Sequence, residues 1–235
     1  MGEQPAHTSL PAEGLFPATR RDWLATQVAA GDEGRKEANG FVMQLYGPAL
    51  AAYLRGSRWR SFGNADDLVA GYFASRLDRD DFFAKWLASG LPFRRWLANG
   101  FLFYLREEAR RRRHDAAGED LGEDAADSGE PAAVERFEQA WAREVVRRAC
   151  ERAHEVCKAA GRESHWTLFV RHHVDGVPYA ALAGELGIDP VRAPGMSRTT
   201  AAVLRRAFLE ILVRDGVPQG ELDDETDRLL AAFGR

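Results

Sequence analysis

LGIDPVRAPGMSRTTAAVLRRAF, residues 186–208, begins as a turn and ends as a strong helix. Just upstream, DGVPYAALAGELGI is a short Ala-rich helix, then a glycine and an apolar residue, the anatomy of the first half of a helix-turn-helix. Downstream, SRTTAAVLRRAFLEIL supplies a second half with Ser197, Arg198, Thr199 and Thr200 at its start. In such a pair the first side chains of the second helix enter the major groove. Arginine bonds guanine edges bidentately there, and Ser or Thr serves bases or phosphates. Pro190 and Pro194 fall where the second helix would gain its first turns. Pro194 disfavours helical geometry at Ala193 and lacks the donor for a helix hydrogen bond. The second helix is therefore predicted to start at 194–196, where a first-turn proline costs little. IDPVRA becomes an enlarged turn that brings Arg192 within reach of phosphate. A plain Ala-rich helical hairpin is the competing reading of the same residues.

Working outward, the chain keeps a helical period and shows no strand-type alternation. Phe41, Val42, Leu45, Tyr46, Ala49, Leu50 and Tyr53 share one face; so do Leu68, Val69, Tyr72, Phe73 and Leu77. Phe93, Trp96, Leu97, Phe101, Tyr104 and Leu105 make a third stripe, and Val134, Phe137, Trp141, Val145, Ala149 and Ala153 a fourth. Between the third and fourth, RRRRHDAAGEDLGEDAADSGEPAA runs from a basic block into a Gly/Ala/acid segment that cannot build a core. The predicted fold is all-α, with two small helical domains joined by a flexible acidic linker. Its divisions are a disordered leader at 1–18, a helical domain at 19–113, the linker at 114–132, a second domain at 133–217 and an acidic C-terminal helix at 218–235.

Composition narrows the class. With 45% apolar and 29% charged residues, the chain matches a globular protein. No apolar run approaches the ~18–20 residues of a membrane span. MGEQPAHTSLPAEG lacks the basic head and apolar core of a signal peptide, so the expected location is cytoplasmic, with no membrane partner. A net charge of −4 argues weakly against nucleic acid, but the charges are segregated along the chain.

Four motifs carry chemistry. On FRRWLANGFLFYLREEARRRR, Arg95, Asn99, Phe103, Arg106, Arg110 and Arg113 recur at spacings of three and four, opposite the buried stripe. Such a face suits nucleic acid, because arginines neutralise phosphates and an aromatic ring stacks an unpaired base. A solvated helix whose last arginines complement the dipole accounts for it equally well. In NADDLVAGYFASRL, Asn64 is the expected N-cap, with Asp66 and Asp67 in the first turn. Its apolar face is wide enough to include a partner surface, or to be ordinary core. The helix-turn-helix is the third motif. The fourth, Cys150, His154 and Cys157 on one helix face, falls short of zinc's four ligands, and the two cysteines stand about 10 Å apart, too far for a disulfide. There is no phosphate-binding P-loop and no nucleophile elbow, so neither an enzyme nor a cofactor is expected.

The order of these blocks resembles a compact, two-domain bacterial RNA polymerase sigma factor of the extracytoplasmic-function type. YGPALAAYLRG, NADDLVAGYFASRL and PFRRWLANGFLFYLREEARRRR are similar to sigma region 2; FEQAWAREVVRRACERA through VLRRAFLEIL is similar to region 4. The resemblance implies that Asp66, Asp67, Leu68, Tyr72 and Phe73 dock on the clamp helices of the polymerase largest subunit. It implies a flipped minus-10 base near residues 91–95, with Arg94, Arg95, Asn99, Phe103, Arg106 and Arg110 along the melted strand. It implies minus-35 duplex contacts from Arg192, Ser197, Arg198, Thr199, Thr200 and Arg205. Core RNA polymerase and promoter DNA are the implied partners, with room for an anti-sigma protein. The chain departs from the family at Ala70, where glutamine is usual, at Phe103, where the position is often polar, and in about four extra residues around the two prolines. A sigma-like adaptor or anti-regulator that binds protein and reads no promoter is the rival expectation.

Overall fold

The computed structural model describes residues 21–91, 93–117, 131–217 and 219–233. The leader expected at 1–18 and residues 118–130 of the expected linker lie outside the described residues. Among the described residues the protein is all-helical, without a strand, and no helix is long and apolar enough to cross a membrane.

Helix α1 (Arg21–Ala29) turns into α2 (Asp32–Gly56) at Gly31, whose φ of 86° is open to glycine and strained for other residues. Asp32 and Glu33 occupy the first turn of α2, where the helix dipole favours carboxylates. Helix α3 (Ala65–Arg76) is capped by the Asn64 side chain, which accepts from the backbone N–H groups of Asp66 and Asp67 at 2.8 and 3.2 Å. Helix α4 (Phe82–Ser89) closes on Gly90 in the left-handed conformation, and α5 (Phe93–Ala117) follows. Helix α6 (Pro131–Ala159) opens the second half. Residues 114–117 and 131–132, expected in the linker, are thus helical.

Helices α7 (Glu163–His173), α8 (Tyr179–Leu186) and α9 (Ala193–Arg214) form the next unit. Gly187, at φ 64°, ends α8, and the Asp189 carboxylate accepts from the Val191 backbone N–H at 3.0 Å to set the turn 187–192. Helix α9 begins at Ala193, just ahead of the expected 194–196. Pro194 falls in its first turn, where the missing donor had no partner to lose. Helix α10 (Leu222–Phe233) completes the chain after a single turn of 3₁₀ helix.

One hydrophobic cluster draws on both halves. Tyr46 of α2, Phe93 of α5, Phe137 and Trp141 of α6, Phe208 of α9 and Leu229 of α10 all belong to it. The Tyr46 ring stacks on Phe137 at 6.4 Å and meets Phe93 edge-on at 5.3 Å. Helices α2 and α6 lie along each other closely enough that a Cβ on Gly56 would fall 2.5 Å from the Arg136 side chain. A second, smaller core of Leu168, Leu182 and Ala193 holds α7, α8 and α9 together. Helix α8 and the start of α9 thus have a small core of their own, while the rest of α9 belongs to the shared core through Leu204, Phe208 and Leu212.

Truncating a fully buried aromatic costs about 3–5 kcal/mol. Phe137→Ala is accordingly expected to lower stability by that amount and to do so for both halves at once. Urea unfolding followed by hydrogen exchange tests this. Equal loss of protection in α2 and α6 is expected, whereas loss confined to residues 133–217 would contradict a shared core.

Candidate nucleic-acid interface

Helices α3, α4 and α5 surround an open cavity of about 440 Å³, lined among others by Tyr72, Phe82, Trp96, Asn99 and Phe103. Two glycines bring the helices this close. A Cβ on Gly100 of α5 would lie 2.5 Å from the Tyr72 hydroxyl, and one on Gly71 of α3 would lie 2.5 Å from the Tyr104 hydroxyl. Tyr72 donates to the Leu97 carbonyl at 3.3 Å, and its burial pushes the phenol well above its usual pKa, so the ring stays neutral. Trp96 packs edge-on against Phe82 at 4.7 Å and forms part of the cavity wall. At the rim, Phe103 is 60% exposed, with the Arg106 guanidinium 5.7 Å from its ring centroid. Asn99, Arg95 and Arg110 are exposed on the same helix. An exposed aromatic, an amide and cationic side chains thus bracket one concave, largely apolar space.

Arg94 goes elsewhere. Its guanidinium lies over the Trp141 ring at 3.9 Å and pairs with Glu225 at 3.2 Å and Glu138 at 3.4 Å, so it ties α5 to α6 and α10. Of the five residues expected to dock on polymerase, Asp66 and Asp67 are exposed at the start of α3, while Leu68, Tyr72 and Phe73 are buried. The wide apolar face of α3 is consumed by packing, and Tyr72 serves as cavity wall. Its outward residues include Ala70 and Ala74. Arg76 and Lys85 also line the cavity, Arg76 paired with Glu107 and Lys85 with Asp81 at 2.6 Å. Their part was not legible from periodicity, since they come from two different helices that meet only by packing against α5.

In the second half, Arg192, Arg198 and Thr199 are exposed around the start of α9, beside Val191, which is 86% exposed at the tip of the turn. Ser197 and Thr200 are buried instead. The Ser197 hydroxyl lies 3.1 Å from His173 Nε2 and links α9 to α7, while Thr200 donates back to the Met196 carbonyl of its own helix at 3.2 Å, so neither faces outward. Arg205 is held by Asp227 at 2.6 Å and Asp223 at 2.9 Å, both from α10. Burial lowers the pKa of His173, and the neighbouring His172 pushes the same way.

Among the described residues no group of three His, Cys, Asp or Glu side chains is placed to hold a metal ion. His154 stacks on Trp166 at 5.3 Å, and burial pushes the Cys150 thiol up to about 11. Both cysteines are free thiols.

The joint between the halves holds a buried carboxyl. Asp215, after α9, is 3% exposed and accepts a hydrogen bond from the Tyr46 hydroxyl. Burial raises its pKa well above the usual carboxylate range, and the nearby Glu225 carboxylate raises it further. An acid with a raised folded pKa contributes stability that is whole below its ordinary value of about 3.9 and is lost as pH climbs through the folded value. Asparagine is uncharged and still accepts from Tyr46. Asp215→Asn is therefore expected to raise the melting temperature at about pH 8, with the gain shrinking toward about pH 5. A gain that grows toward acid would contradict this sign. In comparisons with known proteins, no family model, no curated protein and no solved structure matches the chain.

Proposed function

We propose that this protein is a promoter-specificity subunit, a sigma factor that binds core RNA polymerase and directs initiation at promoters with distinct minus-35 and minus-10 elements. The observation that carries the reading is Phe103, exposed at the rim of the α3–α4–α5 cavity beside Asn99, with the Arg106 guanidinium 5.7 Å from its ring centroid. The cavity volume falls within the roughly 300–1,000 Å³ of small-molecule sites, ample for one base. Extruding a base costs a few kcal/mol, and stacking on one aromatic returns about 1–3 kcal/mol. Stacking alone barely balances, so phosphate contacts from Arg95, Arg106 and Arg110 must tip the exchange. Helices α8 and α9, packed through Leu182 and Ala193, support the second reading surface. Arg192, Arg198 and Thr199 are its exposed members, and they remain the residues proposed to meet the minus-35 duplex. Asp66 and Asp67 are the exposed acids left to contact the polymerase, and on this reading the protein is cytoplasmic and not an enzyme.

The engagement of Arg94 and Arg205 by carboxylates favours a second reading, a sigma-like adaptor that binds polymerase and reads no promoter. Reconstitution separates the two: run-off transcription from a genomic promoter library by core polymerase plus this protein supports the sigma reading. Tight polymerase binding without initiation favours the adaptor.

Phe103→Ala is expected to cut strand opening, read by permanganate reactivity of unpaired thymines, about ten-fold or more, the equivalent of one lost stack. Polymerase affinity should stay within about two-fold; equal loss of both would point to misfolding. Arg198→Ala should cost about 1–3 kcal/mol at promoters with a minus-35 element and nothing at those without one. An unchanged promoter profile would remove Arg198 from the interface.

A further inference from the structure

The C-terminal helix contacts two of the arginines assigned to DNA in the sigma reading, one in each half of the protein. Helix α10 carries four carboxylates, Asp223, Asp224, Glu225 and Asp227, against a single arginine, Arg228. Asp223 and Asp227 are four residues apart and share one face, and both close on Arg205 of α9. Glu225 is two residues from each, about 200° around the helix, and closes on Arg94 of α5. The acids are thus presented on two sides at once, as a helix wedged between the halves requires.

The packing beneath α10 is mixed. Leu222 and Leu229 are buried anchors. Between them Thr226 is fully buried and its hydroxyl has no hydrogen-bond partner among the described residues, as is true of the neighbouring cluster's Trp141 indole N–H. A buried, unpaired hydroxyl is costly, so the docked position carries a penalty that release into water removes. The side chain of Glu225 is 8% exposed against 22% for Arg94, whereas Arg205, Asp223 and Asp227 are more open to solvent and to competing anions. Carboxylate and phosphate make the same bidentate bonds to a guanidinium.

We propose that α10 is an intramolecular clasp whose carboxylates occupy Arg94 and Arg205, so that nucleic acid must displace this helix to reach them. It rests on the reading that α5 and α9 bind DNA. The clasp keeps the two arginines covered while the protein is free. Binding of DNA exchanges carboxylates for phosphates and frees α10.

The test measures affinity of the full chain for a fluorescein-labelled generic duplex, by anisotropy. The clasp variant is Asp223→Asn/Glu225→Gln/Asp227→Asn. Its charge-matched control, Glu37→Gln/Glu221→Gln/Asp224→Asn, removes three exposed carboxylates that lie outside these pairs. The clasp variant should bind about ten-fold more tightly than the control at moderate salt, since Arg205 loses both its carboxylates and Arg94 keeps Glu138 alone, which opens both to phosphate. Equal affinity of variant and control overturns the proposal. Because the variant changes α10 itself, hydrogen exchange on the unaltered protein gives an independent reading. Amides of α10 should lose protection when duplex saturates the protein, and protection retained in the bound state overturns the clasp. If no form binds duplex, the clasp falls. In that case transcription with core polymerase shows whether the sigma reading stands without it or falls as well.

Discussion

Tyr46 joins the two halves of the molecule. Its ring is shared between Phe93 of the first half and Phe137 of the second, and its hydroxyl is spent on Asp215. A phenol buried among aromatics needs a polar partner, and a carboxyl buried at the end of α9 needs a donor. Each satisfies the other, and burial favours the neutral form of the Asp215 carboxyl. Around this joint α2 runs along α6, Trp86 seats against Gly216, and α10 packs on α9 and α6.

The functional surfaces are arranged around that joint. The walls of the cavity between α3, α4 and α5 are held by Tyr72 and Tyr104 against Gly100 and Gly71. Helix α8 and the start of α9 rest on the small core of Leu168, Leu182 and Ala193, while the rest of α9 packs into the shared one. At the turn 187–192 Val191 and Arg192 are exposed, and Ala193 just after it is buried. At the joint itself Arg94 and Arg205 meet the acids of α10, which makes the contact between the halves a matter of charge as well as of packing.

Much of the fold was legible in the sequence, and the failures have a common cause. Helical periodicity marked the stripes that pack, Asn64 marked the start of α3, and Gly187 marked the end of α8, because caps and breakers act within a few residues. Leu68, Tyr72 and Phe73 formed an apolar face too wide for a thin domain, and reading part of it as a partner surface ignored how much α2 and α5 could cover. Ser197 and Thr200 stand at the start of α9 as reading residues would, yet they turn inward to His173 and the backbone. Arg94 was placed with the strand-binding arginines by its helix. Its actual partners, Trp141 and Glu225, come from helices that no local pattern connects to α5. Local periodicity says which face of a helix is apolar, not which distant segment will cover it.

On the sigma reading, the cavity beside Phe103 receives an extruded base. A structure of this protein bound to core RNA polymerase and a promoter duplex decides it. One non-template base is expected out of the stack and inside the cavity, within stacking distance of Phe103, with Arg95, Arg106 or Arg110 against the flanking phosphates. A promoter complex in which every base near α5 remains paired or stacked, and the cavity holds no base, would contradict it.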